Sequence, residues 1–145
     1  MGHLQGKVAI ITGAGRATLS DGRCGSIGYG IATAYAKEGA NLVITGRNVK
    51  KLTDAKEELE RLYNIKVLPV QADVSAGSDN EAVVQNVIDQ TIKEFGRIDV
   101  LINNAQASAS GVPLAQHTTE NFDLAVYSGL YAAFYYMKAC YPHLK

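Results

Sequence analysis

The stretch VAIITGAG, Val8–Gly15, is an apolar run of strand length that passes directly into a glycine-rich turn. A second stretch, GSIGYGIA at Gly25–Ala32, has the small residues and apolar spacing of a helix start. Glycine permits backbone conformations that a Cβ forbids, and it lets a phosphate approach the chain closely. The positive end of the helix dipole would then face that phosphate. The order of strand, glycine turn and helix therefore predicts a dinucleotide-binding βαβ unit.

The composition is that of one globular domain, with 145 residues, 47% of them apolar and 19% charged. Fourteen Lys and Arg residues balance fourteen Asp and Glu residues, unlike the basic surface of a nucleic-acid-binding protein. The apolar runs are shorter than the roughly 20 residues of a membrane span, and the N-terminus lacks a signal-peptide pattern. Cys24 and Cys140 show no metal-ligand spacing. We expect a soluble, cytoplasmic protein with no metal site and no nucleic-acid or membrane partner.

Apolar runs rich in Val and Ile alternate with helical patterns along the chain. The predicted strands are Lys7–Thr12, Asn41–Thr45, Lys66–Gln71 and Ile98–Ile102. Continuous apolar runs are typical of strands covered on both faces, and their alternation with helices is typical of a parallel sheet. We therefore predict an α/β fold, a Rossmann-type doubly wound parallel sheet that is incomplete, with about four strands and their helices.

Capping signals locate the helices between these strands. Asn48 is a candidate N-cap for a helix over Val49–Tyr63, and Ser78–Glu81, with the sequence SDNE, has the pattern of a capping box. The last predicted helix, Thr118–Tyr141, has almost no polar face in its second half. A helix that is apolar all round should be buried on all sides, and the sheet offers only one face. A partner or further sequence is therefore expected to cover it.

Three motifs resemble those of the short-chain dehydrogenases/reductases. Thr12–Gly15 followed by Ser26-Ile27-Gly28 is similar to that family's T-G-x-x-x-G-x-G turn. Ala72-Asp73-Val74 resembles its adenine-contacting aspartate segment, and Asn103-Asn104-Ala105 resembles its N-N-A-G element. The resemblance covers the whole chain. It implies that residues 1–145 are one NAD(P)-binding Rossmann domain, truncated before the catalytic half, whose last helix pairs with a second copy in a homo-oligomer.

The resemblance implies a set of cofactor-binding residues on the matching positions. Gly13, Ser26, Ile27 and Gly28 would form the pyrophosphate cradle. The remaining contacts would come from Arg47 to a 2′-phosphate, Asp73 and Val74 to the adenine, and Asn104 and Ala105 to the ribose and nicotinamide.

Arg47 also decides between the two nicotinamide cofactors. An NAD-selective unit usually carries Asp or Glu at the end of its second strand, where it bonds the ribose 2′-hydroxyl. This chain has no acid over residues 43–48, and the guanidinium of Arg47 suits a 2′-phosphate. NADP(H) is therefore favoured, with NAD(H) less favoured.

The chain departs from the family pattern at four places. An insertion, Arg16–Cys24, separates the glycine clusters and is either a lid or, as we favour, an inert loop. Ser26 replaces a glycine, and Gln106 stands where N-N-A-G has its own. A family asparagine that holds a water in the proton relay aligns with Gly129, where Ser128 or a water could substitute.

The resemblance implies a function that the chain alone is not expected to perform. The family's catalytic Ser and Tyr-x-x-x-Lys lie beyond the family position reached by Lys145, so no catalytic residue is assigned and we expect no dehydrogenase activity from these 145 residues. Gly28–Ala32 and Asn103–Gly111 look most like bacterial 12α-type hydroxysteroid dehydrogenases, which implies an oxidoreductase that interconverts a secondary alcohol and a ketone. The alternatives are an enoyl- or 3-oxoacyl-acyl-carrier-protein reductase, and a non-catalytic nucleotide-binding or dimerising fragment.

Overall fold

The four predicted strands pair in parallel as one sheet in the order β3-β2-β1-β4 in this computed structural model. The structure describes residues 2–23, 25–74 and 77–144, without the side chain of Ser78. The strands are β1 (Val8–Thr12), β2 (Asn41–Gly46), β3 (Val67–Gln71) and β4 (Val100–Ile102). The predicted parallel α/β sheet is confirmed.

Helices cross between the strands on both faces of the sheet. They are α1 (Ile27–Lys37), α2 (Val49–Leu62), α3 (Asn80–Phe95), α4 (Thr119–Val126) and α5 (Ala132–Cys140). A π-helical turn, Tyr127–Tyr131, joins α4 to α5, and short 3₁₀ turns occupy Gly77–Asp79, Leu114–Gln116 and Tyr141–His143. Caps form at the helix starts, since the side chains of Ser26, Asn48 and Thr118 each accept a backbone N–H of the first turn.

Alternate residues of each strand supply two separate cores, as the two-residue period of a strand requires. Ala9 and Ile11 of β1 pack with α1 and α2 on one face. Val8 and Ile10 pack with α3 and α5 on the other. Every residue of β1 is buried, so the strand is the central support of both layers.

The start of α3 differs from the predicted capping box. The helix begins at Asn80, and Asp79 at its N-cap makes no side-chain cap bond, while the side chain of Ser78 lies outside the described part. Asn80 is fully buried, and its Nδ2 donates to the carbonyl oxygens of Val74 at 2.9 Å and Tyr127 at 3.2 Å. This side chain therefore ties the segment after β3 to the π-helical turn.

β4 is shorter than predicted. At its start, the Asp99 carboxylate accepts the Val8 N–H in place of the backbone carbonyl that a regular ladder would supply. The Asp99 N–H donates to the Val8 carbonyl, and the Val8 N–H donates to Asp99 Oδ2, both at 2.9 Å. Arg97 holds the same carboxylate, with Nε 2.8 Å from Oδ2. The hydrogen bond from Arg97 has the largest effect on the pKa of Asp99 and lowers it, and the bond from the Val8 N–H lowers it further. The carboxylate therefore stays charged in this position.

The free edge of β3 is closed by side chains of α2. Glu60 Oε2 accepts the Val67 N–H, and Lys56 Nζ donates to the Val67 carbonyl, each at 2.9 Å. Lys56 and Glu60 also form an ion pair of 2.9 Å. Two residues further along the same edge, Pro69 has no N–H to offer. Three of the backbone groups that an incoming strand would need, the N–H and carbonyl of Val67 and an N–H at residue 69, are therefore taken or missing.

The last helix is buried on one face only. Ala132, Tyr136 and Cys140 are at most 2% exposed and pack in the second core. On the opposite side an apolar face, defined here by Leu130, Phe134, Met137 and Tyr141, is 52–66% exposed. The expectation that the sheet cannot cover this helix by itself is confirmed.

Cys140 gives a prediction about thiol reactivity. Burial raises the pKa of its thiol to about 12, so the reactive thiolate is scarce near neutrality. In a Cys24→Ser variant we expect native Cys140 to resist a disulfide reagent at pH 8 and to react promptly once guanidinium unfolds the chain. Because only the unfolded state loses this proton, stability should also fall as pH rises above about 8.5. A Cys24→Ser/Cys140→Ser variant is the blank, and rapid labelling of the native protein would contradict the prediction.

Candidate dinucleotide-binding site

A groove lies at the carboxyl ends of β1, β2 and β4, where ligands of open α/β sheets bind. β1 sits between β2 and β4, so the chain runs outward in opposite directions from this strand. Two adjoining cavities of about 230 and 250 Å³ share Gly13, Gly46 and Arg47 in their walls. The first extends along Ala72, Val74 and Asn104–Ala107, and the second along Gly15, Ala17, Asn48 and Lys51.

The glycine turn is packed against the helix that follows it. Gly13 has a φ of +69°, a left-handed conformation that favours glycine. A Cβ on Gly28 would overlap the Gly13 carbonyl oxygen and stand 2.7 Å from Asn104 Nδ2. α1 can therefore approach the end of β1 this closely only because residue 28 has no side chain.

Thr12 fastens the end of β4 to this turn. Its Oγ1 accepts the N–H groups of Asn104 at 3.0 Å and Ala105 at 2.9 Å, and lies 3.4 Å from the Ile102 carbonyl to which it donates. Asn104 Nδ2 donates back to the carbonyls of Thr12 at 3.0 Å and Gly13 at 3.2 Å. The side-chain amide nitrogen of Asn104 is therefore bound to the turn, where it helps to form the wall of the groove. Sequence reasoning placed Asn104 at the ligand and gave Thr12 no role, although the polar residue ending an apolar strand was the available signal.

The N-terminus of α1 opens onto the turn. Ser26 is its N-cap, with Oγ accepting the Tyr29 N–H at 3.2 Å, while the Gly30 N–H donates to the Ser26 carbonyl. The N–H groups of Ile27 and Gly28 meet no acceptor among the described residues. The first N–H groups of a helix need external acceptors, so these two are the candidate phosphate donors.

Arg47 follows β2 and lines both cavities. Its backbone carbonyl accepts Gln71 Nε2 at 3.1 Å, which holds the main chain in place. The side chain is exposed, and its guanidinium forms no ion pair within the described part of the chain. A charged fork of five donors is therefore free to meet an anion in the groove.

Asp73 and Val74 follow β3 at the same end of the sheet. The Ala72 N–H donates to the Gly46 carbonyl at 3.0 Å, which extends the pairing of β3 with β2 up to the groove. Val74 is 9% exposed and contributes an apolar wall beside Ala72, whereas Asp73 is half-buried.

The insertion leaves the glycine turn and returns to it. The Gly25 N–H donates to the Ala17 carbonyl at 3.0 Å, and the Leu19 side chain lies against Gly25. The Arg16 N–H donates to the Lys51 carbonyl, also at 3.0 Å, so the root of the insertion is attached to α2. Cys24 lies outside the described residues.

Arg16 is held by α2 as well. Its Nε is 2.9 Å from Glu58 Oε2, its guanidinium carbon lies 6.0 Å from the centre of the Tyr29 ring, and Tyr29 OH donates to Glu58 Oε1. Burial, followed by the bond to Glu58, raises the pKa of Tyr29 and keeps it neutral. The Arg16 cation is thus engaged by Glu58 at the root of the insertion, while Arg47 faces the groove.

The loop after β4 reaches the π-helical turn. Ser128 is 1% exposed, and its Oγ accepts the Ala107 N–H at 2.9 Å while lying within 2.8 Å of the carbonyl oxygens of Ala107 and Leu124. Gln106 covers Gly129, since a Cβ built there would stand 3.5 Å from Gln106 Nε2. The sequence gave no sign that these two departures from the family pattern meet.

Neither a metal-binding cluster nor a bilayer-spanning helix is present among the described residues. No group of three His, Cys, Asp or Glu side chains is placed to hold a metal ion there. Among those residues, no helix combines the length and apolarity needed to cross a bilayer.

The sheet order and the glycine turn at the central strand define a Rossmann-type α/β domain. The family profile described as short chain dehydrogenase matches residues 7–145, and the chain belongs to this family. It is 65% identical over all 145 residues to the 12alpha-hydroxysteroid dehydrogenase of a Clostridium species, of which it covers 53%. It is 33% identical to tropinone reductase-like 3 of Erythroxylum coca, covering 99% of this chain and 50% of that protein.

Solved structures of short-chain dehydrogenases and reductases have the same fold. L-sorbose reductase from Gluconobacter frateurii, complexed with NADPH and L-sorbose, superposes with a TM-score of 0.84 at 28% identity, over 99% of this chain and 49% of that one. A short chain dehydrogenase from Burkholderia cenocepacia in complex with NADP has a TM-score of 0.82 at 28% identity, over 97% and 52%. The chain spans about half the length of the relatives it matches.

The packing at Gly28 predicts opposite effects for two glycines of α1. Gly28→Ala forces the helix away from the turn, and we expect a loss of about 1–3 kcal/mol in the free energy of unfolding. Gly30→Ala is the matched control, because a Cβ there meets no atom within 4 Å. It should stabilise the helix by about 0.5–1 kcal/mol. Urea unfolding measures both, and equal effects would contradict the proposed close packing.

Proposed function

We propose that residues 1–145 are the cofactor-binding portion of an NADP(H)-dependent oxidoreductase that interconverts a secondary alcohol and a ketone. The observation that carries the proposal is the exposed Arg47 at the wall of the groove, beside the glycine turn and without an ion-pair partner among the described residues. A 2′-phosphate is the part of NADP(H) that NAD(H) lacks, and this guanidinium would neutralise it.

The remaining contacts follow the shape of a dinucleotide. The N–H groups of Ile27 and Gly28 would bind the pyrophosphate at the positive end of α1. Val74 and Asp73 would flank the adenine, and the Asn104–Ala105 wall would lie along the ribose and nicotinamide. The tight contact between Gly28 and Gly13 supports this assignment, because it sets the helix N-terminus directly over the turn. The bound cofactor would supply the hydride acceptor or donor, while the protein orients the substrate.

The substrate class we propose is a hydroxysteroid. The support is the 65% identity to a 12alpha-hydroxysteroid dehydrogenase across the whole chain. A homologous carbonyl reductase fold at 28% identity, with a sugar as its ligand, supports only the more general alcohol–ketone chemistry.

We also propose that the enzyme works in the cytoplasm as a homo-oligomer through the apolar face, which α5 forms together with the turns on either side of it. Leu130, Phe134, Met137 and Tyr141 recur at a helical spacing on one exposed side. A contiguous apolar stripe of this kind on a helix surface is typical of a protein interface.

Charge reversal at Arg47 tests the cofactor proposal. We expect Arg47→Asp to weaken NADPH binding by about 10–100-fold, since a charge-assisted contact contributes about 1.5–3 kcal/mol, and to leave NADH binding little changed. Arg61→Asp, at the far end of α2, makes the same change in net charge and should affect neither cofactor much. Fluorescence titration of the parent chain and both variants with NADPH and NADH measures the six affinities. Equal losses for NADPH and NADH would remove the assignment of Arg47 to the 2′-phosphate.

The apolar face gives a prediction about assembly. Phe134 and Leu62 are both 52% exposed, but only Phe134 belongs to the face. Phe134→Glu should shift the chain toward the monomer, because a buried charge in an apolar interface is costly. Leu62→Glu should leave the assembly unchanged. Sedimentation velocity of the three proteins measures this, and a monomeric parent chain at high concentration would count against the proposed interface.

A further inference from the structure

A second cation lies beside Arg47 in the wall of the groove. The cavity of about 250 Å³ next to the glycine turn is lined by Arg47 and Lys51, which precede and follow the N-cap Asn48 in the chain. We propose that Lys51 is a second determinant of cofactor choice, which together with Arg47 binds the 2′-phosphate as a dianion. The inference rests on the proposed NADP(H)-dependent function and goes beyond it by giving a role to a residue that sequence reasoning did not single out.

Lys50 and Lys51 are adjacent lysines in different environments. Lys50 Nζ lies 3.1 Å from Asp54 Oδ2, and Lys50 lines neither cavity of the groove. Lys51 is exposed, lines the cavity beside Arg47, and forms no ion pair within the described part of the chain. Of the two lysines, only Lys51 therefore has a charge available to a ligand in the groove.

The start of the Lys51 side chain is fixed against the glycine turn. The Lys51 N–H donates to Asn48 Oδ1, and the Lys51 carbonyl accepts the Arg16 N–H, both at 3.0 Å. A Cβ built on Gly15 would stand 3.0 Å from the Lys51 Cβ, so Lys51 packs directly over Gly15. The side chain therefore leaves the backbone at a defined place in the wall of the cavity.

No carboxylate among the described residues faces an anion in this cavity. The remaining walls are small or uncharged residues: Gly13, Gly15, Ala17, Gly46 and Asn48. α2 has no acid in its first turn, and the N–H groups of Val49 and Lys50 meet no acceptor in the described part of the chain. Two cations and the positive end of a 14-residue helix therefore act on the same space.

A phosphate monoester is an anion that matches two cations. Its second pKa is about 6, so the 2′-phosphate of NADP(H) carries nearly two negative charges at neutral pH. The guanidinium of Arg47 can bind two phosphate oxygens as a planar fork, and the ammonium of Lys51 acts as a compact point charge on the third. Lys51 thus adds affinity for NADP(H) that the 2′-hydroxyl of NAD(H) cannot gain.

Calorimetric titration of the 145-residue chain tests this role with two nucleotides that differ only in the 2′-phosphate, adenosine 2′,5′-bisphosphate and 5′-AMP. Lys51→Met removes the ammonium and keeps the stem over Gly15. We expect it to bind the bisphosphate and NADPH about 10-fold more weakly, because a charge-assisted contact is lost, and to bind 5′-AMP and NADH almost as the parent does.

Two matched variants control for charge and for structure. Lys50→Met makes the same change in net charge one residue away and should alter none of the four affinities much. Lys51→Arg keeps the charge and should retain most of the affinity for the bisphosphate. Equal losses for the bisphosphate and 5′-AMP in Lys51→Met, or no loss for either, would overturn the inference.

The pH dependence of cofactor binding is an independent readout, which a structural role of Lys51 would not change. Because the two cations favour the dianion, the affinity of the parent for NADPH should be full above about pH 6 and fall about 5–10-fold by about pH 5. NADH, without this phosphate, should show no such fall, and none of the three histidines lines the groove. Lys51→Met should flatten the NADPH curve, and an identical curve in this variant and the parent would contradict the proposed pairing.

The proposed function and the role of Lys51 fail in different ways. If the parent chain binds neither NADPH nor the bisphosphate, both are wrong. If Arg47→Asp removes the preference for NADPH while Lys51→Met leaves that preference and its pH dependence unchanged, only the role of Lys51 is wrong.

Discussion

The contact between Gly28 and the carbonyl of Gly13 is the constraint on which the site depends. It sets the distance between α1 and the end of β1, and a single added carbon would force the two elements apart. Thr12 and Asn104 then fasten β4 to the same turn through their side chains. The groove is therefore a rigid junction of three strand ends and one helix, a geometry suited to holding a ligand in a fixed orientation.

The two arginines near this junction differ in their ion-pair partners. Arg16, at the root of the insertion, is neutralised by Glu58 and lies over Tyr29. Arg47, in the wall of the groove, has no such partner within the described chain. The two arginines therefore have different roles: Arg16 anchors the loop, and Arg47 is available to a ligand. The difference comes from the carboxylate on α2 and not from the arginines themselves.

The sequence predicted those parts of the molecule that depend on neighbouring residues. The glycine turn, the order of strands and helices and the cap at Asn48 are local patterns with local causes, and Arg47 was found by its place after a strand. The pairing of Gln106 with Gly129 joins residues in separate elements, and no local pattern encodes it. The π-helical turn was missed for the same reason, because its support comes from Asn80 on another helix.

The two edges of the sheet differ in how readily another strand can pair with them. On the β3 side, Glu60 and Lys56 occupy the backbone groups of Val67, and Pro69 has no N–H to donate. On the β4 side, the strand is half-buried, and no side chain of a helix within the described residues bonds its backbone in the same way. A further strand can therefore pair with the β4 edge more readily than with the β3 edge. An architecture of this kind accepts added sequence at one margin while the opposite margin stays closed to unrelated chains.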